Sequence, residues 1–127
     1  MNDLALLIRI TVLTIPPSLN EYERMHFIKR HKLSRVFERE VFYALASSGP
    51  WPLRPATKKR RLFIDVHRHR LLDYDRLVGG CVPLVDGIKH LGLIVDDRPK
   101  WLDSEYRQTL VKKGEDPYVV IEITEEP

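Results

Sequence analysis

The sequence predicts a small α+β domain, a mixed β-sheet covered by two helices, with residues 1-127 in a single unit. Three observations carry that expectation. Several segments alternate apolar and polar residues at the period of a strand. Two longer ones carry apolar stripes at helical spacing, and proline or glycine punctuates the junctions. The expected order is strand, helix, strand, helix and a closing hairpin. With 43% hydrophobic and 31% charged residues, the chain has the composition of a globular protein with a buried core.

Residues 5–15 (ALLIRITVLTI) set Leu, Ile and Val against Arg9 and Thr11, which predicts a strand with one face more buried than the other. Pro16-Pro17 stops it, because proline donates nothing to a ladder. Asn20 and Glu23 have capping-box spacing and open a helix over 21–47. Its apolar stripe is Leu33, Val36, Phe37, Val41, Ala44 and Leu45. Arg24, Lys29, Arg30, Lys32, Arg35 and Arg39 lie largely off that stripe, where a solvated face accounts for them better than a nucleic-acid contact. Ser47-Ser48-Gly49-Pro50 ends the helix, and WPLRPAT reads as a loop.

Residues 58–70 predict a second strand, with Leu62, Ile64 and Val66 on one face and Asp65, His67 and His69 on the other. The His-x-His pair invites a zinc reading. No cysteine or third histidine follows at a zinc-ligand spacing, so exposed histidines on a basic strand are the better account. Gly79-Gly80 disfavours regular helix. Pro83 would cost about 3 kcal/mol inside a helix but is accepted in a first turn, which predicts a short or bent lead-in and a helix over 82–90. Leu84, Val85, Ile88 and Leu91 form its buried face. Gly92 ends it in the left-handed conformation, and Leu93-Ile94-Val95 returns to the core. Residues 106–111 and 118–124 are the arms of the hairpin, joined by 112–117.

The stretch Asp73 to Asp97 carries the chemistry. Asp73 and Asp75 stand two apart after the second strand, and at a strand end two such carboxylates point to the same side. Asp96-Asp97 returns after a helix and an apolar run. Such a cluster suits Mg²⁺, a hard cation held by few carboxylates and several waters, which activates water and neutralises phosphate charge. The plainer reading makes these solvated loop acids. Lys58, Lys59, Arg60 and Arg61, with Arg68, Arg70 and Arg76 further on, flank the acids and would hold phosphates near a metal. The overall excess of 21 Lys and Arg over 18 Asp and Glu is too small to require a polyanion partner, so only this distribution argues for one. One cysteine, Cys81, leaves no intrachain disulfide and fits a reducing compartment. The first apolar run is too short to span a bilayer and lacks the flanks of a signal peptide, which predicts a cytoplasmic protein without a membrane partner.

Taken in order, these features resemble the RusA family of Holliday-junction resolvases over nearly the whole chain. The resemblance rests on the first strand ending in Pro16-Pro17-Ser18, the long helix, and the basic strand running into Asp-x-Asp. It continues through a helix bearing Asp86, the phrase LGLIVDD followed by Lys100-Trp101, and the closing hairpin. It implies a RusA-like fold and a homodimeric, Mg²⁺-dependent endonuclease that cuts four-way DNA junctions in two symmetry-related strands. The metal-binding acids would be Asp73, Asp75 and Asp97, with Asp96 beside them and Asp86 in support. Two departures stand out. Arg76 occupies the place where the family has Asn after the second aspartate. The family's catalytic lysine lies one helical turn before the helix acid, where this chain has Val82; counting forward from Asp75 lands on Gly79. Valine cannot stabilise charge developing on a phosphate. Arg76 and Lys89 are the cations available from other directions.

Three readings follow. The first is a junction-resolving nuclease in which Asp73, Asp75 and Asp97 hold Mg²⁺. The second is a branched-DNA-binding protein on the same fold that cleaves poorly for want of the lysine. The third is an interaction domain whose acids are ordinary loop residues. A cation other than the missing lysine reaching the acids separates the first from the second.

Overall fold

The computed structural model describes residues 5–48 and 55–126. Its elements run β1 (Ala5–Val12), α1 (Leu19–Arg24), α2 (Phe27–Ser48), β2 (Arg60–Arg68), α3 (Tyr74–Gly80), α4 (Val82–His90), β3 (Leu102–Leu110) and β4 (Tyr118–Glu125). The expected class, α+β with a mixed sheet, is the architecture observed, but the described residues hold four helices where two were expected. Among the described residues no helix is long and apolar enough to cross a membrane.

The sheet order is β1-β4-β2-β3, with β2 and β3 parallel and β4 antiparallel to both its neighbours. The expected closing hairpin is therefore overturned: β3 and β4 are both strands, but they do not pair. The link after β3 carries the chain past β2 and places β4 inside the sheet. Burial explains the choice. Val119, Ile121 and Ile123 of β4 are fully buried, which an interior strand provides, whereas Asp103, Glu105 and Arg107 of β3 stay exposed at an edge. The parallel β2–β3 pair needs a long crossover, and α3 with α4 supplies it.

The core lies between the sheet and the helices. Ile8, Ile10 and Val12 of β1 and Leu62, Ile64 and Val66 of β2 meet Phe37, Val41 and Leu45 of α2 and Leu84 and Ile88 of α4. Val36, placed on the apolar stripe by spacing, is instead exposed, while Leu33 and Ala44 pack at the margin of the core. Helix α2 crosses α4 closely at Gly87, where an added Cβ would lie 2.8 Å from the backbone nitrogen of Glu38. On the opposite face of the sheet, Asp65 accepts a hydrogen bond from the Thr109 hydroxyl (2.9 Å) and pairs with His67 (3.2 Å), whose ring stacks on Tyr118.

The boundaries shift for local reasons. Strand β1 ends at Val12, three residues before the expected Ile15, and the Glu40 carboxylate on α2 accepts from the backbone N–H groups of Leu13 and Thr14. The first helix is capped by Ser18 and Glu21, not by Asn20 and Glu23: Ser18 Oγ accepts from the Glu21 N–H and the Glu21 carboxylate accepts from the Ser18 N–H. The single helix expected over 21–47 is two, because Met25 is extended. Arg30 makes the break tenable by donating to the carbonyls of Tyr22 (3.0 Å), Glu23 (2.7 Å) and Met25 (3.0 Å) at the end of α1, where the Met25 N–H also reaches the Tyr22 carbonyl. Helix α2 continues through Ser48, and most of the expected WPLRPAT loop lies outside the described residues.

Helix α4 spans the expected residues, with Pro83 in its first turn and Gly92 left-handed at φ +78° beyond its end. Gly79-Gly80, expected to break helix, instead closes α3. The reason is space: an added Cβ on Gly80 would lie 1.8 Å from the Pro17 carbonyl oxygen, and one on Gly79 would meet Leu19 at 2.5 Å. The two glycines let α3 sit directly on the Pro16-Pro17-Ser18 segment. Gly80→Ala is expected to destabilise the fold by about 1–3 kcal/mol through overpacking. Urea unfolding should show a lower midpoint with an unchanged slope.

Candidate functional site

Strand β2 ends at Arg68, five residues before Asp73, so the two carboxylates of Asp73-Tyr74-Asp75 are not at a strand end and strand alternation does not align them. Asp73 is the N-cap of α3, without a side-chain capping bond, and Asp75 is in its first turn. Two positions apart on a helix diverge by about 200°, so these side chains leave on different sides. Asp75 shares a side of α3 with Val78 and Gly79, at helical spacings of three and four. Asp73 lies one turn before Arg76.

Val78 and Gly79 open onto a cavity of about 190 Å³ between α3, α4 and the start of β3. Its other walls include Val82, Asp86, Asp97, Ser104 and Tyr106. Helix α4 presents Val82 and Asp86 together because they are four apart. Asp97 arrives from the segment after Leu93 and Ile94, which the core holds at 3% and 2% exposure. Burial and, after it, the Asp97 charge push the Asp86 carboxyl above the ordinary aspartate range, opposed by Lys89. Asp96 behaves oppositely. A hydrogen bond shared between the Asp96 and Asp97 carboxyls first, then one donated by the Asp97 backbone N–H at 2.7 Å, followed by Lys89, hold it down to about 2.

Lys89, one turn after Asp86 on α4, is the cation of this cluster. Its ammonium lies 3.2 Å from Asp96 Oδ1 and 3.9 Å from Asp97 Oδ1. The Asp96 hydrogen bond first, then the charges of Asp96, Asp97 and finally Asp86, raise its pKa. Arg98 approaches Asp96 from the far side at 3.5 Å.

The structure thus gathers Asp86, Asp96 and Asp97 around Lys89, with Asp86, assigned only a supporting part by resemblance, at the cavity wall. It does not gather the expected trio: among the described residues no three of the His, Cys, Asp and Glu side chains form a group arranged to hold a metal ion. Asp86 and Asp97 fit Mg²⁺ in a looser sense. Two carboxylates on a cavity with room for water match that ion's habit of keeping most of its hydration. Spacing alone missed Ser104 and Tyr106, because β3 was placed beside the wrong strand; its parallel pairing with β2 carries them to the cavity.

The basic residues divide. Arg60 is buried at 5% exposure, donating to the Leu93 carbonyl and to Glu125 (both 2.7 Å), so it braces the fold and is not available to DNA. Lys58 pairs with Glu125 and Lys59 with Asp103, while Arg61 is exposed. Arg68, Arg70 and Arg76 line a second, larger cleft together with Asp73. His69 lies beyond the end of β2 on that cleft and His67 is held by Asp65, so the two histidines do not share a strand face.

No protein-family model and no curated protein matches this chain.

Asp86→Asn is expected to raise the melting temperature of metal-free protein at neutral pH. The sign follows from the raised pKa: stability contributed by protonated Asp86 is present at low pH and lost as pH rises through the folded-state pKa. The gain should shrink as pH falls through that value, which differential scanning fluorimetry across pH 3.5–8 would register.

Proposed function

We propose that this chain is a Mg²⁺-dependent, structure-specific endodeoxyribonuclease that resolves four-way DNA junctions by paired symmetric nicks as a homodimer. The observation that supports this reading is the meeting of Val82, Asp86 and Asp97 on one cavity with the Lys89 ammonium against the acids. They are part of what the RusA resemblance assigns to a single site: the supporting helix acid, the position one turn before it and the acid pair after the apolar run, while Asp73, which it also names as a ligand, lies on the larger cleft. A two-fold dimer would set two such sites against a pseudo-two-fold substrate.

In this reading Asp86 and Asp97 hold the ion, with Asp96 beside them and Asp75 at the near side of α3. Bound there, Mg²⁺ supplies an activated water and neutralises charge on the scissile phosphate. Lys89 takes the part that the lysine missing at Val82 plays in the family, stabilising negative charge as it develops on the phosphate. Its ammonium lies 3.9 Å from Asp97 Oδ1, and Lys89 is not among the residues that line the cavity. Arg61 and the cations of the larger cleft hold the DNA backbone by charge, which fixes position and carries no sequence information.

The second reading, a branched-DNA-binding protein that does not cut, is favoured by one feature: Val82, 41% exposed, puts an apolar side chain where the family has its ammonium. Cleavage of a labelled synthetic four-way junction, with Mg²⁺ or EDTA and a linear duplex as control, decides between them. Paired Mg²⁺-dependent nicks are expected. Tight gel-shift binding without nicks would make this the binding protein, and neither would leave only the fold.

On the nuclease reading, Asp97→Asn should keep junction binding and abolish cutting. Lys89→Ala should slow single-turnover cleavage by about 10²-fold, the loss typical of one charge-stabilising donor. Val82→Lys, which adds an ammonium to the same cavity, should restore part of that loss in the Lys89→Ala background.

A further inference from the structure

The larger cleft, about 640 Å³, runs along the other side of α3 from the Asp86–Asp97 cavity. One wall is the segment leading into α1, including Ile15 and Ser18. The other is the chain after β2 from Arg68 to Asp73, and Arg76 of α3 lies at its end. We propose that this cleft holds the phosphodiester and adjoining base of an unpaired DNA strand, delivering that strand to the acids across α3. The proposal deepens the function proposed above and rests on its DNA-binding part, not on cleavage.

Four features carry it. First, the side chains of Arg68, Arg70 and Arg76 make no hydrogen bond or ion pair among the described residues. Arg68 is half-buried, and that burial lowers its pKa against the weaker pull of Cys81 and Glu21. A desolvated guanidinium without a partner is costly, and a phosphate repays the cost with two parallel hydrogen bonds. Glu21 and Asp73 also face the cleft, but the Glu21 carboxylate is tied to the Ser18 N–H in the α1 cap.

Second, the lining is amphipathic. Ile15, Leu72, Pro117 and Leu71, the last 53% exposed, set apolar surface beside the arginines, as the flat face of a base next to its phosphate requires. Third, the size is that of a small-ligand site, which admits a nucleotide but not a duplex with a major groove about 12 Å wide.

Fourth, both walls are fixed before any ligand arrives. The Gln108 side-chain amide on β3 brackets Leu72, accepting from its N–H at 2.8 Å and donating to its carbonyl at 2.7 Å. On the other wall the Pro17 carbonyl is seated on Gly80. A site ordered in advance does not spend binding energy on ordering itself. The seven residues of α3 span roughly 10 Å at 1.5 Å per residue, so a strand leaving the cleft reaches the acids within a few nucleotides.

Fluorescence polarisation in EDTA, with a 5′-fluorescein 12-mer single strand, the matching blunt duplex and a four-way junction, tests this without cleavage. Wild-type protein should bind the single strand at least tenfold more tightly than the duplex. Arg68→Met and Arg76→Ala should each weaken single-strand binding about tenfold and reduce the salt slope by about one, while Arg39→Ala on the exposed face of α2 should change nothing. Arg68→Met keeps the packed stem, and circular dichroism checks that both variants fold. Wild-type binding that survives in both cleft variants, or equal affinity for single strand and duplex, overturns the cleft and leaves the proposed function standing. No binding of wild-type protein to any of the three DNAs overturns both.

Discussion

The fold depends on the insertion of β4 between β1 and β2. Among the described residues strand β1 pairs with β4 alone, so the first segment of the sheet has its place only against the last one. Ala5 faces Glu125 across that pairing, a separation of nearly the whole chain. Three fully buried side chains on β4 make the arrangement worthwhile. Val119, Ile121 and Ile123 face Val12, Ile10 and Ile8 on one side and Val66, Ile64 and Leu62 on the other, an unbroken band of branched aliphatics across three strands. Closing a loop of this length costs entropy before any contact rewards it, so the sheet is dominated by long-range pairings.

The two clefts lie around α3, which Leu77 ties to the core cluster. Its contacts are with α1 and the proline segment on one side and α4 on the other. Arg68, Arg70 and Arg76 gather on one side, with Glu21 and Asp73 among them, and Asp86, Asp96 and Asp97 on the other, met by Lys89 and Arg98. The exposure of Lys89 keeps its interaction with the acids shallow and exchangeable.

Much of this was legible from residue order. The alternation of Leu62, Ile64 and Val66 and of Val119, Ile121 and Ile123 is a local property, and every one of these side chains is fully buried. Pro83 and Gly92 likewise bounded α4 through constraints that act within a turn. Strand pairing was not legible, because two adjacent strands with a glycine-containing link look alike whether they pair or straddle a third. The exposed charges at Asp103, Glu105 and Arg107 were the available clue to an edge. Gly79 and Gly80 misled for a related reason: helix propensity is a local cost, and it yielded to a close approach by Pro17 from a distant part of the chain. The acids divided in the same way. Asp86 and Lys89 share a helix and their proximity followed from spacing, whereas the position of Asp73 and Asp75 depended on where β2 stopped.

The two sheet edges are guarded differently. Strand β3 carries exposed Asp103, Glu105 and Arg107 along its open edge, so an approaching strand would have to bury charge without matching partners. Strand β1 is the more apolar edge, with Leu6 exposed, and its pairing with β4 is irregular between Leu6 and Ile8. A bulge there twists the ladder and spoils its register for a newcomer. Strand β1 is also the strand whose partner lies farthest along the chain, and its backbone is open on both sides wherever β4 is not in place. The charge of Arg9 in the middle of that segment then works as a gatekeeper against self-association, a service quite separate from its ion pair with Glu122 once the sheet is complete.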